Sequence, residues 1–196
     1  MKEEDVKAAY EAVTSKRAFE IFTDVPADAY YEPAVTWAVR NGVTSGTSAT
    51  TFSPEDGCTR GQVVTFLWRA AGSPEPSSSK NPFSDVKDGE YYYKAVLWAV
   101  EKGITKGTSA TKFSPDETCT RGQIVTFLYR SEGSPAPTSS ANPFGDVKDG
   151  DYFKDAVLWA VSKGITKGTD ATHFSPSDTC TRGQVVTFLY RDRTSK

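Results

Sequence analysis

Apolar residues recur along this chain at helical spacing, and the same pattern is written three times. Over about 30–41, Tyr31, Ala34, Val35 and Ala38 share one helical face, and Trp37 extends it beside Tyr30 and Ala34. Each copy of this helix ends on a polar residue and Gly, at Arg40-Asn41-Gly42, Lys102-Gly103 and Lys163-Gly164. Gly supplies a left-handed residue just past a helix, and a cation suits the negative end. A second helix is predicted from Thr59-Arg60-Gly61-Gln62, where Thr at the N-cap and Gln three residues on form a capping box. Val63, Val64, Phe66, Leu67 and Trp68 make its apolar surface, and Gly72 and Gly133 stop its first two copies.

The repeat length is 61 residues: Trp37, Trp98 and Trp159 are in register, as are Cys58, Cys119 and Cys180. The units run over 22–72, 83–133 and 144–191, joined by Pro/Ser-rich connectors. A block this short buries little surface alone, so the three are expected to pack as one all-α domain of helix-loop-helix units. Residues 1–21 lie outside the period. Val6, Ala9, Tyr10 and Val13 are spaced as an amphipathic helix, read as a cap on the array. In the loop between the helices, Gly46, Gly107 and Gly168 imply a turn or a close backbone approach, and Phe52, Phe113 and Phe174 are expected to pin it to the core. Asp24, Asp85 and Asp146 are expected to cap a turn before the first helix, since their neighbours do not follow calcium-loop order.

Composition narrows the chemistry. The chain has 196 residues, 37% hydrophobic, with a net charge of −2 and no basic run, which argues against duplex nucleic acid. No apolar stretch is long enough for membrane insertion. The opening Met-Lys-Glu-Glu-Asp has no apolar core behind it and does not read as a signal peptide, which fits a cytosolic protein or the mature part of an exported one. The cysteines stand at the position of a hydrophobic staple before the second helix and read as small buried hydrophobes. A Cys₃ metal site is disfavoured because closed structural zinc wants four ligands, and no cofactor is implied. A single His, His173, at a variable loop position and no triad argue against an enzyme.

The ordered run Phe-x-Asp-Val, Tyr-Tyr-x-x-Ala-Val-x-Trp-Ala-Val-x-x-Gly-Ile/Val-Thr-x-Gly, Phe-Ser-Pro and Thr-Arg-Gly-Gln resembles the S-layer homology family over 22–191, in its usual set of three. The resemblance implies a pseudo-threefold assembly with a central helical bundle and ligand grooves between repeats. It also implies a noncatalytic, extracellular anchor on the bacterial cell wall that binds a secondary cell-wall polysaccharide, often pyruvylated. Peptidoglycan, or a protein partner in S-layer assembly, is the alternative. The chain is expected to be a monomer or part of a larger exported protein.

The family signature Thr-Arg-Ala-Glu reads Thr-Arg-Gly-Gln here, so Arg60, Arg121 and Arg182 match the family's polymer-binding Arg while the acid is gone. Gly in place of Ala clears a methyl from the helix entrance, where a ligand could approach. An Arg beside free helix-start amides suits a carboxylate. Gly46-Thr47, Gly107-Thr108 and Gly168-Thr169 offer backbone and hydroxyl contacts or simply form turns, and Lys106 and Lys167 add charge where repeat 1 has Ser45. Trp37, Trp98 and Trp159 read first as core packing, with a ring edge available to a groove.

Overall fold

The chain's structure, a computed structural model, describes residues 15–195. Among the described residues there are seven helices and no strands: α1 (Ala18–Ile21), α2 (Glu32–Arg40), α3 (Arg60–Ala70), α4 (Tyr93–Glu101), α5 (Arg121–Ser131), α6 (Lys154–Ser162) and α7 (Arg182–Thr194). The predicted capping box is present at all three second helices. At α3, Thr59 Oγ1 accepts from the Gln62 amide at 3.3 Å and Gln62 Oε1 accepts from the Thr59 amide at 3.1 Å. The same reciprocal pair opens α5 and α7. The first helices end in Schellman geometry: Gly42 has φ +66°, and the Val43 amide reaches back to the Ala38 carbonyl at 2.8 Å.

Each repeat's first helix lies on the second helix of the repeat before it. α4 packs on α3, α6 on α5, and α2 returns to α7, so the three units close into a ring. The second helices α3, α5 and α7 touch one another and bury Phe66, Ile124, Leu128 and Phe188 at the centre. The tryptophans serve these junctions. Trp37 meets Tyr190 with ring centroids 5.9 Å apart, and Trp159 meets Tyr129 at 5.6 Å. Trp98 and Trp159 are buried and Trp37 is half-buried.

A second ring forms where the second helices begin. The Cys58 amide donates to Cys180 O, Cys119 to Cys58 O and Cys180 to Cys119 O, each at 2.9–3.0 Å. The three cysteines are fully buried and unpaired. Burial pushes all three thiols up, Cys119 and Cys180 to about 12, because a thiolate there would be desolvated.

Two local expectations are corrected. Asp24, Asp85 and Asp146 do not cap a turn before the first helix. Their carboxylates accept the amides of Phe52 and Ser53, Phe113 and Ser114, and Phe174 and Ser175, which fastens the loop between the helices. Gly61, Gly122 and Gly183 do not open the helix entrance to a ligand. A Cβ there would stand 2.9–3.0 Å from the ring of Tyr92, Phe153 or Tyr31, so the missing methyl makes room for the next repeat. The segment ahead of repeat 1 is tied to it: Arg17 pairs with Glu32, which is fully buried, and the Ala18 amide donates to Thr36 Oγ1 at 2.8 Å. The helix expected around Val6, Ala9, Tyr10 and Val13 lies outside the described residues.

Candidate functional site

Arg60, Arg121 and Arg182 each begin a second helix, and their side chains reach across the junction into the next repeat. Arg60 Nε donates to Phe113 O at 2.8 Å, Arg121 Nε to Phe174 O at 2.9 Å, and Arg182 Nε to Phe52 O at 2.9 Å. Each guanidinium sits between two phenylalanine rings; that of Arg60 lies 4.9 Å from Phe113 and 5.4 Å from Phe127. All three side chains are buried, and desolvation lowers their pKa. Arginine titrates so far above neutrality that they remain cations.

The helix-start amides are occupied, which corrects the expectation that they are free for an anion. The Arg60 amide donates to Glu117 O and the Gly61 amide to Pro115 O, both at 2.8 Å, with equivalent pairs at the other two junctions. What stays unpaired is the guanidinium tip. Among the described residues, Arg60 Nη2 and Arg121 Nη2 are buried without a hydrogen-bond partner, and each arginine lines a cleft. A buried donor left unpaired costs about 1–3 kcal/mol, so each cleft favours an acceptor.

The Arg60 cleft, of about 410 Å³, has Thr105, Lys106, Gly107 and Thr108 on one wall and Gln123, Thr126, Phe127 and Arg130 on the other. The Arg121 cleft, of about 550 Å³, repeats this with Thr166, Lys167 and Gly168 opposite Gln184, Thr187, Phe188 and Arg191. Among the described residues neither lining contains an acid. Lys106 and Lys167 are exposed. At the third junction, Arg182 faces repeat 1, where Ser45 takes the lysine's place.

The Gly-Thr pairs shape the wall. Gly107 has φ +84°, and a Cβ on it would stand 2.4 Å from Lys112 O and 2.5 Å from the Phe83 ring; Gly46 and Gly168 are equally confined. The Thr108 amide is spent on Lys112 O, and Thr47, Thr108 and Thr169 place their hydroxyls 2.7–2.8 Å from Ser53, Ser114 and Ser175. Thr108 lines its cleft, while the tryptophans are not brought into either lining.

Two participants escape a linear reading. Arg130 and Arg191 reach into the clefts while Nη1 holds the carbonyl of Ile104 at 3.2 Å or Ile165 at 2.9 Å. Tyr152 of repeat 3 stands at the Arg60 cleft and Tyr30 of repeat 1 at the Arg121 cleft, both about 60% exposed. The signal was present, since Arg69, Arg130 and Arg191 keep the 61-residue period, as do Tyr30, Tyr91 and Tyr152. Nothing in a single block tells that a cleft draws on three repeats.

The S-layer homology domain profile matches residues 21–64, 82–125 and 143–186, more than half of the chain. Over 168 residues the chain is 33% identical to an endoglucanase of Bacillus sp. (strain KSM-635), covering 83% of this chain and 18% of that protein. It is 25% identical over 175 residues to an S-layer protein of Bacillus thuringiensis subsp. finitimus, covering 86% of this chain and 21% of the relative. It is also 25% identical over 151 residues to a cellulosome-anchoring protein of Acetivibrio thermocellus (strain ATCC 27405), covering 71% of this chain and 33% of the relative. The chain thus spans a third or less of these relatives, and the endoglucanase match spans under a fifth of that protein. Among the described residues no helix is long and apolar enough to cross a membrane. With three profile matches in register with its three repeats, this chain belongs to the S-layer homology domain family and is a module of the bacterial cell surface or cell wall.

Proposed function

We propose that the chain is a noncatalytic anchor that fastens an exported protein to the wall by binding an anionic, pyruvylated secondary cell-wall polysaccharide in the clefts between repeats. The observation that carries this reading is the pair of acid-free clefts, each holding a buried Arg with an unpartnered Nη2, a second Arg and an exposed Lys. A ketal carboxylate matches two-pronged guanidinium donors. Exposed Tyr152 and Tyr30 supply apolar faces for sugar rings. The cellulosome-anchoring and S-layer relatives support attachment rather than turnover as the role of the shared segment. A pseudo-threefold arrangement is part of the proposal, supported by the recurring contacts at the three junctions.

The test is co-sedimentation with purified walls before and after hydrofluoric acid removes the secondary polymer. Binding is expected to disappear after stripping and to weaken with salt. The double variant Lys106→Ala/Lys167→Ala, which leaves the buried packing untouched, is expected to bind about tenfold more weakly or worse. Binding that survives stripping points to peptidoglycan instead, and failure to bind intact walls points to a protein partner.

A further inference from the structure

A third cleft has no counterpart in the repeat pattern. It lies where the C-terminal ends of α5, α6 and α7 meet, holds about 300 Å³, and is lined by Glu132, Pro135, Trp159, Lys163, Asp192 and Arg193. Three buried polar atoms on its wall lack hydrogen-bond partners among the described residues: Trp159 Nε1, Asp192 Oδ2 and Arg193 Nε. Trp159 is 2% exposed and the Asp192 side chain 8%. Arg193 Nε and Asp192 Oδ2 face each other at 3.6 Å, too far to satisfy one another.

Among the described residues this set of groups occurs once. One period back, Asp192 corresponds to Ser131 and Arg193 to Glu132; two periods back they correspond to Ala70 and Ala71. Ser131 turns its hydroxyl to Leu128 O at 2.7 Å, and of the three tryptophans in register, Trp37, Trp98 and Trp159, only Trp159 has a buried, unpartnered indole N–H among the described residues. Only the repeat 2/repeat 3 junction leaves this set of groups open among those described.

The unpaired groups state what they need. The indole and the guanidinium Nε each want an acceptor, and the carboxylate wants a donor; a hydroxyl is both. The charges already offset: Arg193 Nη1 pairs with Glu132 at 2.8 Å, and Lys163 stands against Asp192. An added anion would meet two acids and an added cation two bases, so the fitting ligand is neutral. Burial and neighbouring Glu132 push the Asp192 carboxyl up to about 6, so at neutral pH it is still mainly an acceptor. A volume of about 300 Å³ is at the small end of ligand pockets and would otherwise hold about ten waters.

We propose that this cleft is a single-copy site for one neutral, hydroxyl-bearing sugar residue, held by Trp159, Asp192 and Arg193. It is independent of the cationic clefts between the repeats.

The experiment follows the indole N–H resonances of the full ¹⁵N-labelled chain during titration with glucose, N-acetylglucosamine and N-acetylmannosamine, each to about 50 mM, a range that captures millimolar affinity. The Trp159 signal is identified by its loss in Trp159→Phe. At least one sugar is expected to move it saturably. Asp192→Ser, which installs the residue repeat 2 already carries, is expected to weaken that binding about tenfold. Lys106→Ala/Lys167→Ala should leave it unchanged, which separates this site from wall anchoring. No saturable movement with any of the three sugars means a water-filled cleft and overturns the proposal, as does unchanged affinity in a folded Asp192→Ser variant.

Discussion

Replacing Arg121 by alanine tests whether the signature arginine is a structural strut as well as a ligand group. In the parent, Nε donates to Phe174 O at 2.9 Å and the guanidinium lies 4.9 Å from the Phe174 ring and 5.5 Å from that of Phe188. Losing a hydrogen bond from a charged donor costs about 1.5–3 kcal/mol. The ring contacts add about 0.5–2 kcal/mol. Removing a buried charge returns part of its desolvation penalty, so we expect a net loss of about 3 kcal/mol. At about 2–4 °C per kcal/mol for a chain of this size, Tm falls by about 6–12 °C. Thermal and urea unfolding read this directly, with Lys167→Ala, an exposed residue at the same cleft, expected within about 0.5 kcal/mol of the parent. If Arg121→Ala melts with the parent at an unchanged urea m-value, the strut reading is refuted. Wall binding by arginine variants can therefore be interpreted only beside their stability, and the lysine variants are the cleaner probe of the ligand.

Three further outcomes are expected. Arg17 and Thr36 hold the Glu32 carboxyl below its ordinary 4.5, so its contribution is fully present above that value and is lost as pH falls through the lowered folded value; Glu32→Gln should flatten the acid limb of a Tm-against-pH curve, and an unchanged limb would contradict this. Gly168→Ala forces a side chain into φ +87° with its Cβ 2.5 Å from both His173 O and the Phe144 ring, so urea unfolding should show a loss of about 2 kcal/mol or more, and a neutral effect would mean the loop yields freely. Ser45→Lys supplies the third junction with the lysine the other two have, and calorimetry with purified wall polymer should show its affinity rising; no change would show that this position does not face ligand.

Much of the local structure was legible because it depends on neighbours in sequence. Thr59 and Gln62 specify a helix start within one turn, Gly42 and Val43 specify a helix end, and the 61-residue period reveals units that must bury against one another. The resemblance to the S-layer homology signature placed Arg60 among the candidates for the site, and the charge an anionic ligand needs placed Lys106 beside it. Tertiary structure decided the partners. A linear reading left the amides of Arg60 and Gly61 free, but the carbonyls that occupy them come from residues 117 and 115 of the next repeat. Asp24 finds its amides 28 and 29 residues away, beyond the reach of turn rules. Trp159 turned inward because the face it shares with Ala156 and Ala160 packs on α5 of the preceding repeat. Arg130 and Tyr152 belong to one cleft only because the ring closes, bringing residues from three repeats to a junction that no single repeat encodes. Local hydrogen bonding and periodicity are properties of the sequence, whereas a buried polar group takes whatever acceptor the packed neighbour presents, and that is settled only when the chain closes on itself.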